Sequence, residues 1–318
     1  MFFIDYSSAF NTIQPHIIID QLHQYNVPAA HCRWILDFLT GRSQYVRTAH
    51  ELSSDIVINT GAPQGCVLSA VLFILYTNCL TCANVDCKII KYADDTAVLG
   101  LISKNDESTY RETIQHVSKW CDDHYLQLNV GKTKELIFDF RRNKHEHLPV
   151  NIKGDNVKIV SEYKYLGCII EENLKWEEHV ITQVKKANKR LYNLYYLKKF
   201  NVDRSIIAMF YNSVIGSVLT YSIECWFPSI TDKSRKLLDK PRKRGNKVTG
   251  DQLPSHLDIC NKKAVSLIEK SMSDDQHPLH SEFKLLPSGK RLNVNFNRTT
   301  RFKKSFVPYS IRLYNAQS

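Results

Sequence analysis

No run of 18 or more consecutive apolar residues, the length a membrane-spanning helix needs, occurs in the 318-residue chain; the longest near-continuous run is Val67 to Tyr76. The opening MFFIDYSSAF also lacks the uninterrupted apolar core of a secretory signal, because Asp5 breaks it. No membrane role and no secretion are expected, which leaves an intracellular location, nuclear or cytoplasmic. Glycine and proline are scarce, at 11 and 10 residues, so collagen-like and low-complexity chains are excluded. A disulfide framework is missing too. Nine cysteines, an odd number scattered along the chain, read as reduced thiols. Cys79, Cys82 and Cys87 come nearest to a metal pattern, but without a fourth ligand at zinc-finger spacing they read as packing residues.

Hydrophobic residues make up 43% and charged residues 24%, an ordinary globular balance with length for about two domains. Basic excess is absent from the first half and concentrated in the second. Residues 1–150 carry 13 Lys and Arg against 16 Asp and Glu, whereas residues 151–318 carry 30 against 16, a net +14. In KKANKRLYNLYYLKKF, Lys185 to Phe200, cations interleave with aromatic rings. That pattern suits a phosphate-backbone partner whose bases can stack, and it equally suits a solvated amphipathic helix.

Apolar spacing predicts a helix or helix pair over Gln14–Leu39, strands at Gln44–Thr48 and Asp55–Asn59, and a helix over Leu68–Leu80 after the GAPQG break at 61–65. A hairpin is predicted from Lys88–Ala93 and Thr96–Leu99, with Asp94 and Asp95 as its tip. A helix over Glu107–His124 follows, with strands at Glu135–Phe140, Val157–Val160 and Tyr165–Ile170. Beyond Glu171 the pattern is helical over Trp176–Phe200 and Ile206–Leu219, with a strand conceivable only at Tyr221–Phe227. Lys233–Lys247, with eight basic residues and one acid, reads as a solvated or nucleic-acid-contacting linker.

Three aspartates carry the chemistry. Asp5 ends a hydrophobic strand-like start, and Asp94 and Asp95 sit at the hairpin; neighbouring strands would bring three hard oxygen donors to one sheet edge. Such a set suits Mg²⁺, although an Asp at a strand end or turn also serves as a plain turn residue. The segments FIDYSSAFNTI (3–13), GAPQGCVLSAVLFILYTN (61–78), KYADDTAVLG (91–100), LQLNVGKTKELIF (126–138) and YKYLGCII (163–170) resemble, in order and spacing, motifs A to E of a reverse transcriptase palm of the non-LTR, LINE type. The C-terminal LLPSGKRLNVNFNRTTRFKKSFVPYSIRLYN is similar to the closing segment of such elements' second reading frame.

The resemblance implies an α+β fold: a palm built on a ferredoxin-like sheet with packed helices over residues 1–170, an α-helical thumb over 171–232, and a basic linker and C-terminal segment over 233–318. It implies RNA-directed DNA synthesis on an RNA template and DNA primer from deoxynucleoside triphosphates. Asp5 and Asp94, with Asp95 beside them, would hold two Mg²⁺ ions, Mn²⁺ being an acceptable substitute. Phe10 would be the ring that excludes a 2′-hydroxyl, or else a core side chain. Gln64 and Gly65 would contact nucleotide and template-primer, or else form a plain turn. Lys132, or Lys134, would protonate the leaving pyrophosphate, or else act as a counter-charge. Tyr165, Leu166 and Gly167 would grip the primer, and the helices from Trp176 would follow the duplex. Met1 stands four residues before Asp5, so fingers and endonuclease are not expected within the chain and its independent activity is doubtful.

Two other readings compete. Residues 175–226 are similar to a segment associated with the N-terminal part of AlkB-type dioxygenases of transfer RNA, and His256-Leu257-Asp258 with His277 or His280 nominally supplies iron ligands, although no jelly roll is predicted to hold them. A non-catalytic protein that only binds RNA or an RNA–DNA hybrid fits the charge nearly as well.

Overall fold

Strand β1 (Phe2–Ile4) is three residues long and buried throughout, because it forms the middle of a five-stranded sheet. In the computed structural model, which describes residues 1–82, 84–294 and 298–317, the chain divides into two units, Met1–Leu166 and Gly167–Ser318. After β1 come helices α1 (Pro15–Gln24) and α2 (Ala29–Leu39), the hairpin strands β2 (Arg42–Gln44) and β3 (Ile56–Ile58), and helix α3 (Val67–Asn78). Strands β4 (Cys87–Tyr92) and β5 (Asp95–Gly100), helix α4 (Ser108–Asp123), and strands β6 (Lys134–Leu136), β7 (Lys158–Val160) and β8 (Glu162–Tyr165) complete the first unit.

The sheet order is β7-β6-β1-β5-β4. Antiparallel register sets Phe2 opposite Val98 and Ile4 opposite Thr96 on one side of β1, and Phe2 opposite Glu135 on the other. Strand alternation then separates two faces. Phe2, Ile4 and Val98 join Leu22, Leu72, Phe73, Tyr76 and Ile114 of the helices in the main core. Phe3 points the other way and stacks on Tyr163 of β8 at 4.0 Å between ring centroids.

The second unit starts with β9 (Cys168–Glu171) and helix α5 (Glu177–Lys199), whose Val180, Val184, Ala187, Leu191 and Leu194 recur at helical spacing and are buried. Helices α6 (Arg204–Phe210), α7 (Asp232–Thr249), α8 (His256–Ser273) and α9 (Phe306–Gln317) follow. The fold is thus mixed α+β, as expected, with its strands concentrated in the first unit. Of the C-terminal segment singled out in the sequence, residues 295–297 lie outside the described residues.

Two expectations need correction. The strand considered at Tyr221–Phe227 is helical, Ile223–Trp226, because Ile223 and Trp226 fill one core and Trp226 Nε1 donates to the Tyr221 carbonyl. The linker expected at Lys233–Lys247 is the body of α7. Thr231 caps it by accepting from the Ser234 amide, Leu238 and Val248 are buried, and Asp239 pairs with Arg242 and Lys243 one turn on. By length and composition one helical stretch, Arg204–Ser229, is apolar enough to cross a membrane. Its Ile207, Tyr211, Ile215, Leu219, Ile223 and Trp226 form a buried stripe in the core of the second unit, while only 28% of its most apolar window is buried, so packing accounts for part of that apolarity.

Two buried histidines make the second unit acid-sensitive. His179 lies between Trp176 and Trp226, its Nδ1 accepts from the Ile169 amide, and burial, aided by Lys186, pushes its pKa down to about 4. His256 is also driven to about 4 by burial, against the opposing pull of Asp239. Unfolded histidine takes a proton near pH 6.5, whereas these two refuse it until about pH 4. Their contribution to stability is therefore intact above about pH 6.5 and falls on acidification toward 4, by on the order of 3 kcal/mol per histidine. Urea unfolding followed by tryptophan fluorescence should show a lower midpoint at pH 4.5 than at pH 7. A His179→Gln variant should flatten that pH dependence by roughly half; an unchanged slope in the variant would assign the acid sensitivity elsewhere.

Candidate active site

Asp5 follows β1 directly, and the register that sets Ile4 opposite Thr96 carries it to the level of Asp95. The hairpin differs from expectation by one residue. Tyr92 pairs with Asp95, so the two-residue loop is Ala93-Asp94 and Asp95 is the first residue of β5. Ala93, not an aspartate, takes the left-handed conformation at φ +51°. Asp94 thus stands at the loop and Asp95 on the strand beside β1.

The Asp5 backbone is held from both sides. Its amide donates to Thr133 Oγ1 at 3.3 Å, and its carbonyl accepts from the Asn129 amide at 2.8 Å. Thr133 is fully buried. The side chain is less satisfied: Oδ2 is buried with no hydrogen-bond partner among the described residues, and its nearest cation, Lys132 Nζ, is 3.9 Å away. Burial, then the negative charges of Asp94 and Asp5, hold the Asp95 carboxyl above its usual range. The Tyr163 phenol is likewise raised by burial and by Asp95 and Asp5. The three carboxylates therefore feel one another. Even so, no three His, Cys, Asp or Glu side chains among the described residues close into a group that could hold a metal ion.

The remaining predicted residues fall as follows. Lys132 is 72% exposed beside Asp5, while Lys134 Nζ turns back to the Gly131 carbonyl. Phe10 is half-buried, its ring 5.1 Å from that of Phe73 against the main core. Gln64 donates to Asn11 Oδ1 at 3.2 Å, joining the GAPQG loop to the segment after Asp5. Gly65 sits at φ +88° with open space where a Cβ would be. Tyr165 ends β8 with a buried hydroxyl, and Leu166 and Gly167 make a left-handed turn at φ +45° and +83°. A cavity of about 940 Å³, lined by Asn11, Arg42, Gln44, Gly61 and Gln64 among others, opens beside the loop.

Sequence reasoning missed Asn129 and Thr133, which fix Asp5, and Arg42, whose guanidinium donates to the carbonyls of Thr60 and Gly61. It also missed Tyr163. The signal for Asn129 and Thr133 lay inside LQLNVGKTKELIF, where attention went to the lysines. The iron-ligand alternative does not assemble: His256 and Asp258 are two residues apart on α8, about 200° around the helix. Asp258 is occupied by the Ser255 hydroxyl and His280 Nδ1 lies 3.0 Å from the Ser271 carbonyl oxygen. All nine cysteines are free, and Cys79, Cys82 and Cys87 form no metal group.

The family profile described as reverse transcriptase (RNA-dependent DNA polymerase) matches residues 1–170, more than half of the chain. The chain belongs to the reverse transcriptase family. The probable RNA-directed DNA polymerase from transposon BS of Drosophila melanogaster is 24% identical over 235 residues, covering 70% of this chain and 26% of that protein. The RNA-directed DNA polymerase from mobile element jockey of Drosophila funebris is 28% identical over 206 residues, covering 60% and 22%. The probable polymerase from transposon X-element of Drosophila melanogaster is 23% identical over 242 residues, covering 70% and 25%. This reverse transcriptase chain therefore spans about a quarter of the length of the relatives it matches. Among solved structures, apo telomerase from Candida tropicalis covers 88% of this chain and 52% of its own at a TM-score of 0.40 and 10% identity, too distant to carry an argument.

Proposed function

We propose that residues 1–170 form the palm of an RNA-directed DNA polymerase of a LINE-type, non-LTR retrotransposon, followed by a helical thumb over 171–232 and a basic C-terminal segment. The observation that supports it most is the register that brings Asp5 to Asp95, with Asp94 in the adjoining turn and the Lys132 ammonium 3.9 Å from Asp5. The reaction is nucleotidyl transfer: a primer 3′-hydroxyl oxygen bonds to the α-phosphorus of a deoxynucleoside triphosphate, and pyrophosphate leaves.

Asp5, Asp94 and Asp95 are an all-oxygen donor set with an unpartnered buried oxygen at Asp5 and mutual repulsion at Asp95, chemistry that a divalent cation satisfies. They would hold two Mg²⁺ ions, which supply Lewis-acid stabilisation of the attacking and leaving oxygens. Thr133 and Asn129 fix the Asp5 backbone against displacement. Lys132, exposed beside Asp5, protonates the leaving pyrophosphate. Phe10 closes the space where a 2′-hydroxyl would lie, Gln64 and Gly65 contact the nucleotide and template-primer, and Tyr165, Leu166 and Gly167 hold the primer end.

The test is Mg²⁺-dependent primer extension on an RNA template by the 318-residue chain, beside an Asp94→Ala, Asp95→Ala double variant. The variant should lose at least roughly a hundredfold of whatever Mg²⁺-dependent extension the chain supports, while affinity for the hybrid changes less than about twofold. Should neither protein extend while both bind the hybrid with one salt slope, the chain is a non-catalytic binder of RNA or hybrid instead.

A further inference from the structure

Helix α5 has a buried side and an outer side that no core covers. On the outer side Tyr192, Tyr196 and Phe200 repeat every fourth residue and are 61%, 45% and 70% exposed. Their rings form a ladder, with centroids 5.0 Å apart between Tyr192 and Tyr196 and 6.0 Å between Tyr196 and Phe200. Exposing three large rings in a row costs apolar burial, and a helix that only needed solvation would carry polar side chains there.

Cations surround the ladder. Lys185 and Lys189 are exposed two turns and one turn before it, and Lys199 Nζ lies 6.0 Å from the Tyr196 ring centroid. Helix α7 adds one more along an edge: Arg244 Nη1 donates to Asn188 Oδ1, one turn before Tyr192, at 3.0 Å. Rings bordered by lysines and arginines fit a partner with flat apolar faces and a regular negative charge, which is a nucleic acid strand.

We propose that the outer face of α5 is a stacking platform for unpaired nucleotides. The availability of base faces decides between single strand and duplex. Bases in a duplex strand are about 3.4 Å apart and their faces are occupied by one another. Exposed rings in a row can be covered only by a strand whose bases are unpaired and free to stack on side chains. The inference goes beyond the polymerase reading, because holding a strand needs no catalysis, and it assigns the outer face of α5 to unpaired nucleotides where the expectation for these helices was a duplex.

The experiment measures fluorescence anisotropy of labelled oligo(dT) and oligo(rU), about 12 nucleotides long, and of a blunt RNA–DNA hybrid of the same length, with the full chain. A Tyr192→Leu, Tyr196→Leu, Phe200→Leu variant should bind both single strands at least about tenfold more weakly and the hybrid within about twofold of the parent. A Tyr192→Phe, Tyr196→Phe variant keeps the rings and should keep single-strand affinity, which separates stacking from loss of fold. The Asp94→Ala, Asp95→Ala variant should bind single strands like the parent, so failure of the polymerase reading leaves this result standing. Unchanged single-strand binding by the leucine variant overturns the proposal. Equal loss on the hybrid would make the face a duplex site, and a parent dimer that becomes monomeric in the variant with unchanged binding would make it a self-association surface; either overturns it.

Discussion

An Asp5→Asn variant should lose at least roughly a hundredfold in primer extension while unfolding at the same or a higher urea concentration than the parent. The substitution keeps the shape of the side chain and removes its charge. In the folded chain that charge has poor company: among the described residues Oδ2 is buried without a hydrogen-bond partner, its one nearby cation is 3.9 Å away on a lysine 72% exposed, and it shares the site with the Asp95 carboxylate, which it repels. A surface ion pair of that length contributes at most about 1 kcal/mol. Removing the charge therefore costs the fold little and relieves the Asp95 carboxyl, whereas it deletes a hard anionic donor from the proposed chemistry. Loss of extension together with a lowered unfolding midpoint would instead make Asp5 a structural residue. Extension at parental rate would remove it from the active site.

Gly61→Ala should lower stability by at least about 3 kcal/mol, at least about 1 kcal/mol more than Gly65→Ala four residues later. Both glycines have positive φ, +72° and +88°, where an alanine costs about 1–2 kcal/mol on conformation alone. What differs is the surroundings. A Cβ at Gly61 would meet Asn11 Cα at 2.8 Å and the carbonyl oxygens of Asn11 and Phe10 at 2.9 Å, all backbone atoms, while a Cβ at Gly65 would meet nothing within 4 Å. The Gly61 amide also donates to Ile13 at 2.7 Å, and Arg42 grips its carbonyl at 3.0 Å, so the loop cannot swing aside. Urea midpoints of the two variants measured side by side check this. Equal losses would mean that conformation, not collision, sets the cost. Because Gly61 packs on the segment carrying Phe10 and Asn11, the same variant should also shift the residues downstream of Asp5.

Much of the first unit was legible because period and punctuation agree there. The α1 and α2 pair and the helix after GAPQG combine helical spacing with a breaker at an end, and α4 shows the helical spacing alone. The hairpin was legible as a hairpin but not in register. An Asp-Asp tip is the natural choice for left-handed loop residues, and the structure gives that conformation to Ala93, because pairing Ile4 with Thr96 fixes Asp95 on the strand. Lys233–Lys247 misled for a different reason. Its charge density reads as linker until Leu238 and Val248, ten residues apart, are seen to share a buried face, and such sparse apolar marks are hard to detect without their partners. For the site, the three aspartates and Lys132 were visible as motif residues. Thr133 and Asn129 were not, since a threonine hydroxyl or an asparagine amide becomes a positioning group only through contact with a residue more than 120 positions earlier.

The central strand has a consequence for the order in which the protein forms. β1 precedes its partners by more than 90 residues, since they are residues 96–98 and 134–135. Local helices such as α1 and α2 form from neighbouring residues, but Phe2–Ile4 must wait for two long loops to close. Until then three consecutive apolar residues have their backbone unpaired, a species prone to aggregation. Asp5 reaches its place only when the last of these pairings is made, so the register that brings it level with Asp95 is the product of the slowest closures in the first unit and not of its rapidly formed helices.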